Sequence, residues 1–409
     1  VVSDGGISKT SDGGLSWAER NKNYNSYTQF GLAIGRDRKI LGGGQDNGTV
    51  YIDGVSFISP NSALKVGGGD GGYAELSWLN PKVMFAESQY GFYRNNDEGG
   101  NNSDGLGGFA SQAMLLPGSQ GKAISNFMVP MELWETSNDP NSEDSVSFEL
   151  FPGLRSMGYG DGIKKVFKGR INHSQSAVQY LPATFQLNVG SISETADAQG
   201  NINGSGVTGF FHPDSAYFEL TFASAPIAEI ILTCDVFLPV ASNLILPSAI
   251  GALPIDLITS SIMNVGDVLK VQDPVQSMYF IGNASHSNAT FPTMGGIWMT
   301  REAHDFSGTP EWWQIAHLGN SVFPQYMEIS SDGDHLFVGT SSGRLYRISN
   351  LQSARSAGDA HIDSVNKVIT VDLIETFGSR NISGIDVDPN NPSRVAVSLG
   401  NYNNTTFVY

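Results

Sequence analysis

The sequence predicts an all-β protein, on two observations. Only 15% of its 409 residues are charged while 48 are glycine, a composition that favours strands and tight turns over helices. Short apolar runs recur along the chain, each closed by a Gly-Gly, Asp-Gly or Asn-Gly pair. No stretch needs a helix longer than about one or two turns, and the best short candidate is LQSARSA, 351–357.

The runs fall into three regions. From 1 to 105, FGLAIG, TVYIDG, KVMFAES and YGFYR stand between glycine turns, and from 291 to 409 the cadence returns. Its clearest unit is YMEISSDGDHLFVGTSSGRLYRISNL, 326–351, where MEIS and HLFVGT are strands joined by a tight Asp-Gly-Asp turn at 332–334 and SGRLYRIS follows through Ser-Ser-Gly. Such a meander, recurring every 40 to 45 residues or roughly so, is the sequence form of a β-propeller blade. The first region has room for about two blades and the last for two to three. Rings close with roughly four to eight, so the propeller is expected to be incomplete in this chain.

Between 106 and 290 the cadence fails. SVSFEL, ATFQLNVGSIS, AYFELTFASA and EIILTCDVFLP suggest an inserted β-sandwich-like domain, with 197–206 (DAQGNINGSG) as an exposed hairpin tip. An insertion of this kind is tolerated when its ends lie close together.

With 23 basic against 40 acidic residues the formal charge is −17, which disfavours a general grip on nucleic acid or anionic lipid. The lone cysteine, Cys234, sits in an apolar run and is expected to be a small buried hydrophobe, with no disulfide inside the chain. The longest apolar stretch, 241–263, is cut by Pro247 and Pro254 and carries Asp256, which argues against a membrane-spanning helix. Val1 begins inside a patterned segment, without the basic lead and apolar core of a signal peptide, and both ends suggest a piece of something longer. The seven histidines form no zinc-type pair, and no phosphate loop follows a strand and opens a helix.

The stretch TSDGGLSW, 10–17, looks reactive but reads as a hairpin. Gly13 and Gly14 permit positive φ, Asp12 can accept hydrogen bonds from the turn's amides, and Trp17 is expected to pack back on the sheet. Thr10, Asp12, Gly14, Ser16 and Trp17 match the Asp-box of bacterial neuraminidase-type (BNR) repeats. YGFYRNNDEGG, 90–100, keeps Asp97 and Gly99 in register without the Trp, and 296–316 keeps the Trp behind an expanded turn. Together with ILGGGQDNGT, GGGDGGYAELS, PMELWET, HLFVGTSSGRLYRISNL and IDVDPNNPSRVAVSLGNY, the chain resembles the exported Asp-box β-propeller proteins of Bacteroidota, of the sialidase/xyloglucanase/sortilin-like superfamily, over about 1–105 and 265–409. The resemblance implies export, commonly by type 9 secretion, although the C-terminal sorting domain typical of such proteins is not in this sequence.

A sialidase would need an arginine triad, and the Arg-Ile-Pro strand typical of that family survives only as YRIS, 346–349. A xyloglucanase-like inverting hydrolase needs two carboxylates across a cleft, for which Asp46, Asp70 and Glu75 are the candidates. Glycines near the two aspartates would let the backbone approach a sugar, while the same aspartates are natural turn formers. The oxygen-rich loops suggest Ca²⁺ as the one possible ion, most densely at Asp386 and Asp388, although none has a twelve-residue calcium loop. Among the aromatics, Tyr73, Trp78, Tyr90, Trp298, Trp312 and Trp313 could stack on sugars, and the Trp312–Trp313 pair looks too bulky for both to be buried. Asp-Ser-aliphatic triplets at Asp144, Asp214 and Asp363 resemble the O-glycosylation acceptor of Bacteroidota.

Scaffold motifs are well kept and no catalytic set is complete. The expectation is therefore a non-catalytic secreted or cell-surface propeller that binds polysaccharide or protein, in adhesion or as part of a larger surface complex. The alternative is a glycoside hydrolase of xyloglucanase-like type. No nucleic acid partner, transmembrane segment or organic cofactor is expected.

Overall fold

Strands form where the apolar runs stand, and turns where the glycines stand. The computed structural model describes residues 2–3, 6–20, 28–54, 63–100, 103–104, 126–142, 145–171, 179–181, 184–212, 215–239, 264–286, 293–400 and 406–409. The expected apolar stretch 241–263, and Asp144 and Asp214, lie outside them. Described helix amounts to short turns, among them a 3-10 turn, Arg36–Arg38, and one helical turn, Ala357–Ala360, which begins at the last residue of the stretch where a helix was expected. No described helix is long and apolar enough to cross a membrane.

The chain divides into two compact units, 1–136 with 276–409, and 137–275. The first is built of propeller blades. Four antiparallel four-stranded sheets follow one another: Gln29–Ile34, Ile40–Gly44, Gly48–Ile52 and Leu64–Gly67; Gly71–Leu76, Met84–Ser88, Gly91–Asn95 and Ser103–Asp104; Met131–Thr136, Gln276–His286, Met294–Thr300 and Trp313–Ala316; Pro324–Ile329, His335–Thr340, Arg344–Ser349 and Thr370–Thr376. A three-stranded sheet precedes them (Val2–Ser3, Gly6–Lys9, Ala18–Glu19), and a two-stranded one follows (Ile382–Val387, Val395–Leu399), to which Val408 adds a bridge at Ser398. Among the described residues no strand pairing joins the first sheet to the last. In each full blade the strands pair in chain order, and the first strands of consecutive blades are neighbours.

The apolar cores lie between blades. Leu41 and Tyr51 of the first full blade meet Leu76 and Ala86 of the second; Phe85 and Phe92 of the second meet Met131, Tyr279 and Trp312 of the third; Met278, Phe280 and Trp313 of the third meet Met327, Leu336 and Val338 of the fourth; Phe337 and Leu345 of the fourth meet Ile382, Ile385 and Val397 of the last sheet. A strand covered on both faces has no polar side to show, so MFA, MYFI and LFV are continuously apolar rather than alternating. The glycine runs have a packing cause as well. A Cβ at Gly43 would stand 2.1 Å from the Gly72 carbonyl oxygen, so GGG at 42–44 lets neighbouring blades touch through their backbones.

The 137–275 unit interrupts the third full blade between its first and second strands. Thr136 pairs with Gln276, so the chain leaves and re-enters on adjacent strands. The cadence suggested a domain over 106–290, but Met131–Thr136 and Gln276–His286 belong to the blade, and 105–125 fall outside the described residues.

By itself the second unit contains three four-stranded antiparallel sheets, Gln179–Tyr180, Val236–Pro239, Ser145–Phe151 and Val268–Gln272; Leu154–Tyr159, Glu229–Thr233, Gln186–Val189 and Ile192–Thr195; Val166–Arg170, Tyr217–Phe222, Val207–His212 and Asn201–Asn203. Phe185, Phe211, Phe218, Phe222, Leu220 and Leu232 fill its core, with Phe185 stacked on Phe211 at 4.8 Å. Cys234 is buried there, and burial pushes its thiol up to about 12. Within 197–206 a turn carries the chain from one sheet to the next, and the hairpin tip itself is 204–206.

One buried cation staples the blade joint. Arg94 is fully buried; Nη1 donates to the carbonyls of Glu302 (3.1 Å) and Ala303 (2.7 Å), Nη2 donates to that of Gly308 (3.3 Å), and the guanidinium lies 4.1 Å above the Phe306 ring. Arg94→Lys keeps the charge and loses the planar fork. It should destabilise by about 1–3 kcal/mol, because buried carbonyls lose their donor. A lower urea midpoint at constant slope reports this, and an unchanged midpoint would show that the loop carbonyls find other donors.

Candidate functional site

The first strands of the blades carry acidic residues at one shared register. Glu75 lies opposite Phe85, Glu132 opposite Phe280, Glu328 opposite Phe337 and Asp386 opposite Ala396, while the first full blade has Ala33 opposite Leu41. Side chains alternate across a strand. Ala74 and Leu76 pack towards the preceding blade, so Glu75 looks towards the following one; Glu132 and Glu328 are placed likewise.

The result is a row of carboxylates stepping from blade to blade. Burial, then the charges of Glu328 and Glu135, hold Glu75 well above the usual carboxylate range. Burial, then Glu75 and Glu328, does the same to Glu132, against which the Ile329 amide donates a hydrogen bond. Burial, then Asp386, raises Glu328. Two tyrosines stand beside the row: Tyr73 donates its hydroxyl to the Gln325 carbonyl and meets Tyr326 edge-on at 6.3 Å, and burial followed by Glu328 pushes Tyr326 up to about 12.

Two further carboxylates pin this row in place. Glu87 is buried, accepting the Tyr73 amide at 2.8 Å on Oε2 and the Val129 amide at 2.6 Å on Oε1, and burial outweighs both bonds to bring it to about 8. Glu135 accepts Ser77 Oγ (2.6 Å) and the Trp78 amide (2.8 Å), and its Oε1 lies 2.5 Å from Nε2 of buried His304. Burial works against its charge, yet the His304 bond and charge, then the Ser77 and Trp78 bonds, hold it below the usual range. The histidine and the serine both bind the same carboxylate, so the acid sits in the middle and the order is not that of a nucleophilic triad.

The residues singled out from sequence are scattered by the fold. Asp46 has positive φ in the turn after Gly44, and its amide donates to Asp70 Oδ1 at 2.7 Å; the Asp70 amide donates to Gln89 Oε1 at 2.8 Å. Both aspartates thus tie one blade's turn to the next, and the neighbouring glycines serve that approach. Glu75 lies four residues beyond Gly71, a strand rise of about 13 Å from the Asp70 turn.

Asp386 belongs to the acidic row, whereas Asp388 accepts the Asn390 amide (2.9 Å) and an Arg394 ion pair (3.3 Å) in the following turn. Among the described residues no group of three or more His, Cys, Asp or Glu is gathered to hold a metal ion. Trp312 and Trp313 are each only 6% exposed, one in the core towards Phe92 and Tyr279, the other in the core towards the fourth blade. Neither offers a face to a ligand.

Residues 10–17 form the expected turn. Thr10 Oγ1 accepts the Gly14 amide (2.9 Å), Asp12 Oδ1 accepts the Ser16 amide (2.9 Å), and Asp12 Oδ2 accepts the Ser16 hydroxyl (2.5 Å). The Ser16 hydroxyl and amide, then Thr10, depress the Asp12 carboxyl. Trp17 is 52% exposed, so the indole does not pack back as expected.

The turn recurs with other residues. Asn95 Oδ1 takes the amides of Asp97 (2.9 Å) and Gly99 (2.7 Å), as Thr10 does for Asp12 and Gly14. Glu302 Oε2 takes the Glu311 amide (2.7 Å) before Trp312, as Asp12 takes that of Ser16 before Trp17. Sequence reasoning missed Asn95, Glu302, Glu132 and Glu328, and with them the row that joins Glu75 to Asp386. The row did leave a signal, an apolar–acidic–aliphatic triplet at 74–76, 131–133, 327–329 and 385–387.

No protein-family model matches the chain, and no curated protein does. Solved structures similar to it include YCF48 from Cyanidioschyzon merolae (TM-score 0.23, 12% identity, 95% of this chain and 84% of that one) and the β-propeller domain of Cps50 (Swd1) from Myceliophteria thermophila (TM-score 0.29, 8% identity, 94% and 82%). YCF48 bound to D1 peptide is a third (TM-score 0.24, 10% identity, 96% and 83%). Scores this low carry no weight for the fold, which stands on the blade topology described above.

The raised carboxylates set a pH dependence. The folded state keeps protons on Glu87 and the acidic row that the unfolded chain has released, so their contribution is whole below the ordinary value of 4.5 and is lost as pH rises through the raised ones. Thermal stability is therefore expected to fall between about pH 5 and pH 8, and Glu75→Gln to flatten that slope. A melting series across the range checks it; a wild-type profile that is flat, or rises, would refute the assignment.

Proposed function

We propose that this protein is a non-catalytic propeller, exported to the cell surface or medium, that binds polysaccharide or protein in adhesion or as a component of a surface assembly. The blade architecture is consistent with a binding or scaffold role. The supporting observation is the fate of the aspartates nearest to a catalytic pair: Asp70 spends Oδ1 on the Asp46 amide. An inverting hydrolase instead needs two free carboxyl groups about 6.5–9.5 Å apart across a cleft.

A second reading, a glycoside hydrolase, is favoured by one observation: Glu75, Glu132 and Glu328 are neighbours in the same row with their proton affinities raised, the condition of a general acid. A hydrolysis screen on xyloglucan and other polysaccharides separates the two. The binding reading expects no hydrolysis by the wild type, and full retention on its ligand by Asp46→Asn, Asp70→Asn and Glu75→Gln. Hydrolysis that disappears in Glu75→Gln would establish the enzyme instead.

A further inference from the structure

The inserted unit carries an open sheet face that the blades do not explain. In the sheet of Val166–Arg170, Tyr217–Phe222, Val207–His212 and Asn201–Asn203, alternate residues point inward: Phe167, Phe218, Leu220, Phe222, Val207, Phe211 and Ile202 pack in the core. The other parity therefore faces out. Pairing fixes what stands side by side there: Arg170 beside Tyr217 beside His212, and Lys168 beside Glu219 beside Phe210.

These rows combine rings and charge. Phe210 lies 4.7 Å from the His212 ring and 6.1 Å from that of Tyr217, an aromatic platform on the outward parity of the sheet rather than in a core. Arg170, Lys168 and His212 are exposed, and Phe210, Tyr217 and Glu219 are half-buried. Lys168 pairs with Glu219 at 2.9 Å, an acid on this face already neutralised by its neighbour.

The charge here runs against that of the chain. Residues 164–170 hold four of the 23 basic residues and no acid, all four exposed, in a protein of net charge −17. A polyanion is repelled by such a protein as a whole, and a local run of basic residues without an acid offsets that repulsion here. Ring faces stack on the apolar faces of sugars, and guanidinium and ammonium groups recognise carboxylate or sulfate. These residues stand on three adjacent strands, about 10 Å across, which suits an extended chain laid over the strands better than a small molecule.

We infer that this face binds an acidic polysaccharide, a sugar chain bearing carboxylate or sulfate groups, with Tyr217 and Phe210 stacking on its rings and Arg170, the basic group of the face not held by Glu219, meeting its charges. The inference rests on the polysaccharide side of the proposed function.

The test is affinity electrophoresis of the full chain through gels containing polygalacturonate, or hydroxyethylcellulose as a neutral glucan. The wild type should be retarded by polygalacturonate, less so as salt is raised. Tyr217→Ala and Arg170→Glu should each weaken retardation about tenfold, the loss expected of one anchor residue. Lys367→Glu, the same charge change on an exposed blade residue, should leave it unchanged, and far-UV spectra of all variants exclude unfolding. Retardation that survives both face substitutions, or that occurs only with the neutral glucan, overturns the acidic-glycan face while leaving polysaccharide binding standing. No retardation by either gel overturns both.

Discussion

Burial of the middle blades, the second to the fourth full ones, on both of their faces is the constraint from which much of the first unit follows. A sheet pressed between two neighbours cannot keep one polar face, so its middle strands become apolar throughout, as at Phe85–Ala86 and Leu336–Val338. Where backbones must meet, glycine replaces the side chain, as at Gly43 against Gly72. Polar groups caught in the joint need complete partners. Arg94 and Glu87 are such groups, one satisfied by carbonyls and the other by amides, and each ties a loop to a neighbouring blade.

The acidic row is the exception to that economy. Its members are too close together, and too poorly hydrated, to ionise together, so near neutral pH the row holds protons and presents donors as well as acceptors. Such a row differs from a ring of full negative charges.

Local features were legible in the sequence because local chemistry decides them. The Asp-Gly-Asp hairpin at 332–334 forms with Gly333 at positive φ, and the 10–17 turn closes on the Thr10 and Asp12 side chains. Features that depend on register were not. The acidic row exists because four strands far apart in the chain pair with their partners at the same position, and no single strand reveals that. The two tryptophans misled for a related reason: consecutive residues point to opposite faces, and here both faces are interiors, so Trp312 and Trp313 fill two different cores. The boundary of the insertion was obscured because MELWET and MYFIGNAS are ordinary blade strands whose partner lies beyond the interruption.

That interruption bears on how the chain acquires its structure. Elsewhere the first two strands of a blade are joined by a few residues, as between Ile329 and His335, and they can pair as soon as both exist. Thr136 and Gln276 must find each other across 139 residues. For a flexible chain the longer closure costs about 3 kcal/mol more. A folded insertion whose ends are held together removes that burden, because the intervening chain is already compact when the strands meet. Closure of the third blade then depends on the span between the ends of the inserted unit and not on the length of chain inside it.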